Sequence, residues 1–136
     1  MFGQVIMTKK RILVVDDEPN IQKMLRTLLE INEYEVDTVS NGGEAIEKVR
    51  EISPDLVLLD LVMPKVDGFK VLETLKNDNS TKDIPVILFT AAPPEVAAKT
   101  GTTALEAVDY VLKPFDRLTL SFLLQRIKEL TTSKGK

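Results

Sequence analysis

At 136 residues, with 43% hydrophobic and 29% charged residues, the chain has the size and balance of one globular domain that buries a single core. A formal net charge of -3, from 18 basic and 21 acidic residues, and the lack of a long basic run argue against direct nucleic-acid binding, and no apolar stretch reaches membrane-spanning length. With 0 Cys and 0 His, disulfides, thiolate nucleophiles, sulfur-bound metals and histidine general bases are excluded, so a bound metal must be a hard ion held by oxygen, magnesium or manganese first.

The opening Met1–Met7 is mildly apolar, but Lys9, Lys10 and Arg11 follow it instead of preceding it, an order that argues against a signal peptide. Residues 1–8 read as an extension before the fold. The apolar run Ile12–Val15 is a buried strand that stops at Asp16-Asp17-Glu18. Pro19 suits a first helical turn, and Ile21, Met24, Leu25, Leu28 and Leu29 follow at helical spacing. Tyr34–Val39 alternates less cleanly and is a second strand. Asn41 can cap a second helix that carries Ala45, Ile46 and Val49 and ends before Pro54.

The third strand, Leu56–Leu59, stops at Asp60, and a loop through Met63, Pro64 and Asp67-Gly68 leads to a helix with Phe69, Leu72 and Leu75. Val86–Phe89 then stops at Thr90. Pro93-Pro94 opens a fourth helix, which Thr100-Gly101-Thr102-Thr103 should shorten or interrupt. Val111-Leu112 stops at Lys113-Pro114. A fifth helix begins near Asp116 and buries Leu120, Leu123, Leu124 and Ile127, leaving residues 131–136 as a fraying tail. Five strands alternating with five helices predict an α/β, doubly wound parallel sheet with helices on both faces, ordered over residues 9–130.

In such a sheet, ligands bind at the carboxyl ends of the strands. Four strand ends here carry acid, acid, hydroxyl and amine, the complementary groups that a metal and a phosphoryl group require. Asp60 is the best acceptor, because an ionised carboxylate attacks without a general base. Asp17 suits direct metal ligation, with Asp16 acting through a metal-bound water and Asp60 sharing the ion. Gathering three carboxylates in one crevice is costly unless a cation offsets their repulsion. Lys113 can set a point charge against a phosphoryl oxygen, and the Thr90 hydroxyl can complete the cradle.

The set Val14-Val15-Asp16-Asp17-Glu18, Asp60 to Gly68, Thr90-Ala91 and Lys113-Pro114-Phe115 resembles the receiver domain of two-component response regulators, over roughly residues 10–130. The resemblance implies a flavodoxin-like strand order 2-1-3-4-5 and magnesium-dependent transfer of a phosphoryl group from a histidine kinase, or a phosphotransfer protein, to aspartate. It makes Asp60 the phosphoacceptor, Asp16 and Asp17 the acidic metal pair, Thr90 the switch hydroxyl, Lys113 the phosphate-contacting amine and Tyr110 the switch aromatic. The backbone carbonyl of Val62 would be a further metal ligand. The same resemblance implies a cytoplasmic signalling switch that hydrolyses its own phosphoryl group slowly, rather than a metabolic enzyme. Such a switch would present the face of its fourth helix, fifth strand and fifth helix to a downstream protein or domain, or to a second copy upon phosphorylation.

Read apart from that resemblance, Asp67-Gly68 is a helix cap and turn pair, Glu18 a solvated residue at a helix start, and Tyr110 a half-buried strand aromatic. Met24 and Met63 read as packing residues. Two features depart from the family pattern. Glu106-Ala107 stands where receivers usually have Gly-Ala, and Val62 and Ala92 place apolar side chains where fast-hydrolysing receivers carry polar ones, which points to a long-lived phosphorylated state. A binding module that is never phosphorylated is one rival reading. An aspartyl-phosphate hydrolase of the haloacid dehalogenase type is the other, but those enzymes carry a second aspartate where Val62 stands.

Overall fold

The computed structural model describes residues 9–63, 66–90, 109–112 and 116–132. Strands β1 (Arg11–Val15), β2 (Glu35–Val39), β3 (Leu56–Leu59), β4 (Val86–Thr90) and β5 (Asp109–Leu112) form an all-parallel sheet in the order 2-1-3-4-5. Helices α1 (Pro19–Ile31), α2 (Gly42–Ile52) and α3 (Gly68–Lys76) alternate with the first strands, and a C-terminal helix covers Arg117–Thr132. The helix expected after Pro93-Pro94, including Glu106-Ala107, lies outside the described residues.

Alternation along each strand divides the core in two. Leu13, Val15, Val57, Leu59, Val86 and Leu88 face Ala45 and Val49 of α2 and Val71, Leu72 and Leu75 of α3. Ile12, Val14, Leu56, Leu58, Ile87 and Phe89 face Leu25 and Leu29 of α1 and Leu123 and Ile127 of the C-terminal helix. Both faces are therefore dry, which is why these strands read as unbroken apolar runs. Each fully buried side chain contributes roughly 1.5–3 kcal/mol. This sheet, sealed on two sides, leaves its polar chemistry to the strand ends.

Local signals explain the helix boundaries. Pro19 opens α1 where its missing N–H costs nothing. Asn41 caps α2, its Oδ1 accepting from the Glu44 N–H at 2.9 Å, and Ser53 ends that helix in the left-handed region at φ 47°. Asp116 accepts from the Thr119 N–H at 2.7 Å at the start of the C-terminal helix, and this bond, followed by one from the Thr119 side chain, holds its carboxyl below the usual carboxylate range. Leu120 and Leu124, expected to be buried, are only partly so.

Two boundaries differ from expectation. The segment after Asp60 is not all loop: Val62–Met63 pairs antiparallel with Val66–Asp67, and Asp67 sits opposite Val62 in this short ribbon. The C-terminal helix continues past Leu130 through Thr132. Thr131 is buried, its hydroxyl 3.1 Å from the Tyr34 hydroxyl and 2.8 Å from the Ile127 carbonyl, so polar Thr131 is tied down where composition suggested fraying.

Candidate functional site

The sheet register brings the acidic residues together. Val15 of β1 is paired with Leu59 of β3, so Asp16 and Asp60 emerge side by side one residue further on. Their main chains continue the ladder: the Asp60 N–H donates to Val15 O at 3.0 Å, and the Asp16 N–H donates to Val39 O at 3.1 Å. Oxygens of Asp16, Asp17 and Asp60 all lie within 4.8 Å of one another. Asp16 and Asp60 are buried and Asp17 is half-buried.

The start of α1 supports this cluster. The Glu18 N–H donates to Asp16 Oδ1 at 2.8 Å, and Glu18 itself is exposed, without a side-chain cap bond. The helix N-terminus also carries a partial positive charge that favours carboxylates beside it. Gly68, at the start of α3, sits against the main chain that follows Asp60. Its N–H donates to Leu61 O at 3.2 Å, and a Cβ there would lie 2.5 Å from Leu61 Cα and 2.7 Å from Asp60 O. Gly68 therefore serves close backbone approach under the segment that follows Asp60, a role that its reading as a turn residue missed.

Thr90 ends β4 and is fully buried. It lies on the same sheet face as Leu88, because side chains two apart on a strand share a face. Tyr110 pairs with Leu88, is half-buried, and packs against the core on that face. Thr90 and Tyr110, expected to be the switch pair, are thus on one side of neighbouring strands. Val62 lies in the short ribbon two residues after Asp60. Lys113 and Ala92 lie outside the described residues.

Sequence reasoning also passed over Gln22. Its Nε2 donates to Asp16 O at 2.5 Å, so a side chain on α1 reaches the acidic loop. The only signal in the sequence was a polar residue directly beside Ile21 on the half-buried face of that helix.

An all-oxygen donor set with three carboxylates converging, two of them buried, fits a hard divalent cation. No step in phosphoryl chemistry then requires a histidine on this chain.

A family model for the response regulator receiver domain matches residues 12–125. The chain belongs to that family of signalling domains. It is 43% identical over 131 residues to the probable transcriptional regulator ycf27 of Pyropia yezoensis, a match covering 93% of this chain and 52% of that protein. The chain spans about half the length of the first curated relatives it matches. A crystal structure of the Thermotoga maritima response regulator TrrA in complex with Mg2+ and BeF superposes with a TM-score of 0.76 at 38% identity, covering 89% of this chain and 98% of that one. The complex of histidine kinase ThkA with the same regulator gives a TM-score of 0.75 at 36% identity, covering 90% of this chain and 99% of that one. No helix among the described residues is long and apolar enough to cross a membrane.

Proposed function

We propose that Asp60 is the phosphoacceptor, that Asp16, Asp17, Asp60 and the Val62 carbonyl hold a magnesium ion, and that Thr90, Tyr110 and Lys113 read and stabilise the phosphorylated state. The observation that carries this reading is the convergence of the Asp16, Asp17 and Asp60 carboxylates at the adjoining tips of β1 and β3. The Mg2+–BeF complex of the similar TrrA supports the choice of metal.

An Asp60 carboxylate oxygen attacks the phosphorus of a kinase phosphohistidine in line. The new bond is P–O, the breaking bond is P–N, and the electron pair leaves with the imidazole of the donor. Magnesium supplies charge that offsets the phosphoryl oxygens as they approach the carboxylates. Asp16, held at Oδ1 by the Glu18 N–H, keeps one fixed orientation through the transfer. The Thr90 hydroxyl donates to a phosphoryl oxygen, Lys113 places its ammonium against another, and Tyr110 moves inward behind Thr90. The result is a switch in the surface around the fifth strand and the C-terminal helix, not a turnover of metabolites.

The upstream partner is a sensor histidine kinase or phosphotransfer protein, a reading supported by the kinase complex of the similar regulator, and the transfer takes place in the cytoplasm. The downstream partner is a protein or a further domain, in keeping with curated relatives about twice as long as this chain. The test is labelling by acetyl phosphate with magnesium, in the protein and in Asp60→Asn. The substitution should abolish labelling. Equal labelling of both overturns the assignment.

A further inference from the structure

We infer that Gln22 is a positioning residue for the acidic pair, fixing the Asp16 peptide so that the Asp16 and Asp17 carboxylates stay aimed at Asp60. The inference rests on the metal reading given above. Besides Asp16 O at 2.5 Å, the Gln22 amide reaches Val39 O at 3.2 Å and Ser40 Oγ at 3.2 Å. A primary amide has two hydrogens, so three oxygens at the tips of two strands share two donors. Val39 O also accepts from the Asp16 N–H at 3.1 Å, which engages both of its lone pairs. One side chain therefore joins α1, the tip of β1 and the exit of β2.

Gln22 is placed for this by its position in the helix. Its own N–H donates to Glu18 O at 3.1 Å, so it stands one turn into α1. Helical side chains lean toward the helix N-terminus, which carries the amide back over the residues just before the helix. Asp16 is then held at three points: its N–H by Val39 O, its carbonyl by Gln22, and Oδ1 by the Glu18 N–H. Without the amide, the peptide between Asp16 and Asp17 can rotate, and both carboxylates turn with it. An uncharged donor suits the position. A carboxylate there would face two main-chain carbonyls, and a thioether would offer them no hydrogen.

Groups that orient metal ligands typically set affinity by 10–100-fold. The test is titration with magnesium chloride alone, by calorimetry, together with melting temperature in zero and saturating magnesium, for the protein, Gln22→Met, Gln22→Ala and Asp17→Asn. Gln22→Met keeps the length of the side chain, and Gln22→Ala keeps helix propensity if the first variant does not fold. The expected result is a magnesium Kd raised about tenfold or more in both Gln22 variants, with a smaller magnesium-induced rise in Tm at fixed concentration. A role confined to folding would lower both melting temperatures equally and leave Kd unchanged, which overturns the inference. Magnesium binding in the protein, lost in Asp17→Asn but intact in the Gln22 variants, means that the inference fails and the metal reading stands. If the protein itself does not respond to magnesium, the metal reading fails and takes the inference with it.

Discussion

At the amino-terminal end of the sheet, Arg11 donates from Nη2 to Glu35 at 2.5 Å and from Nη1 to Asp37 at 2.7 Å, and its N–H donates to Asp55 Oδ2 at 2.8 Å. The carboxyl end of the same strands brings three aspartates within 4.8 Å of one another. Arg11 is held above its usual pKa chiefly by the Asp37 hydrogen bond, so at its end charge of one sign is met by charge of the other. Arg50 and Asp78, joined at 3.0 Å where α2 and α3 lead back to that end, repeat the pattern. The same residue type thus serves cohesion at one end and places like charges together at the other. Stability and function occupy opposite rims of one sheet, and removing a carboxylate should act with opposite sign at the two.

The largest effect expected is from Gly68→Ala, at the acidic rim. The added Cβ meets main-chain atoms of Asp60 and Leu61, which cannot swing aside as a flexible side-chain end would. A loss of about 1–3 kcal/mol in urea unfolding follows, with weaker magnesium binding because the acceptor loop must shift. Unchanged stability would mean that α3 retreats at no cost and that this rim is not close-packed.

Next in size is Asp60→Asn measured without magnesium. Removing one of three gathered carboxylates should raise stability by on the order of 1 kcal/mol, the energy of one like-charge pair near 4 Å at the lower limit set by the dielectric of water. Thermal unfolding in chelator checks the sign. A destabilised variant would make the acidic cluster a source of cohesion after all, and the contrast between the rims would fall.

The smallest effect is a pH dependence at the amino rim. The Asp78 carboxyl is held below its ordinary value of 3.8, first by the Ser80 N–H at 2.9 Å, then by the Ser80 hydroxyl and Arg50. A lowered folded-state pKa contributes stability above the unfolded value, and the contribution disappears as pH falls through the folded one. Asp78→Asn should therefore flatten the acid limb of the stability curve below about pH 4, where protonation begins in the unfolded chain. An identical acid limb in the variant would show that this pair adds nothing measurable.

The strands and the acidic triad were legible because each depends on a signal along the chain. Leu56–Leu59 had to be a strand buried on both faces, and Asp60 had to stand at its end. What escaped notice depends on contacts across the chain. Two of the three oxygens that Gln22 reaches belong to the main chain, which every residue carries, so the sequence of those partners does not mark the bond. Thr131 looked like the start of a polar tail, but its hydroxyl meets that of Tyr34 across a long separation. Gly68 resembled any turn glycine, and only the approach of α3 to Leu61 gives it its reason. The ribbon at Val62–Met63 was too short for periodicity to reveal.

Strand β1 lies between β2 and β3, with Asp16 bonded to Val39 on one side and Asp60 bonded to Val15 on the other. The acidic cluster is therefore assembled by the long-range pairing of β1 with β3 and has no counterpart in the unfolded chain, where Asp60 is far from Asp16 and Asp17. An ion held there would close the central ladder like a clasp at the ends of its strands. Local opening of these amides to solvent and escape of the ion become linked events, so occupancy should be felt as slower hydrogen exchange at Asp16 and Asp60 before any change at the sheet's amino rim.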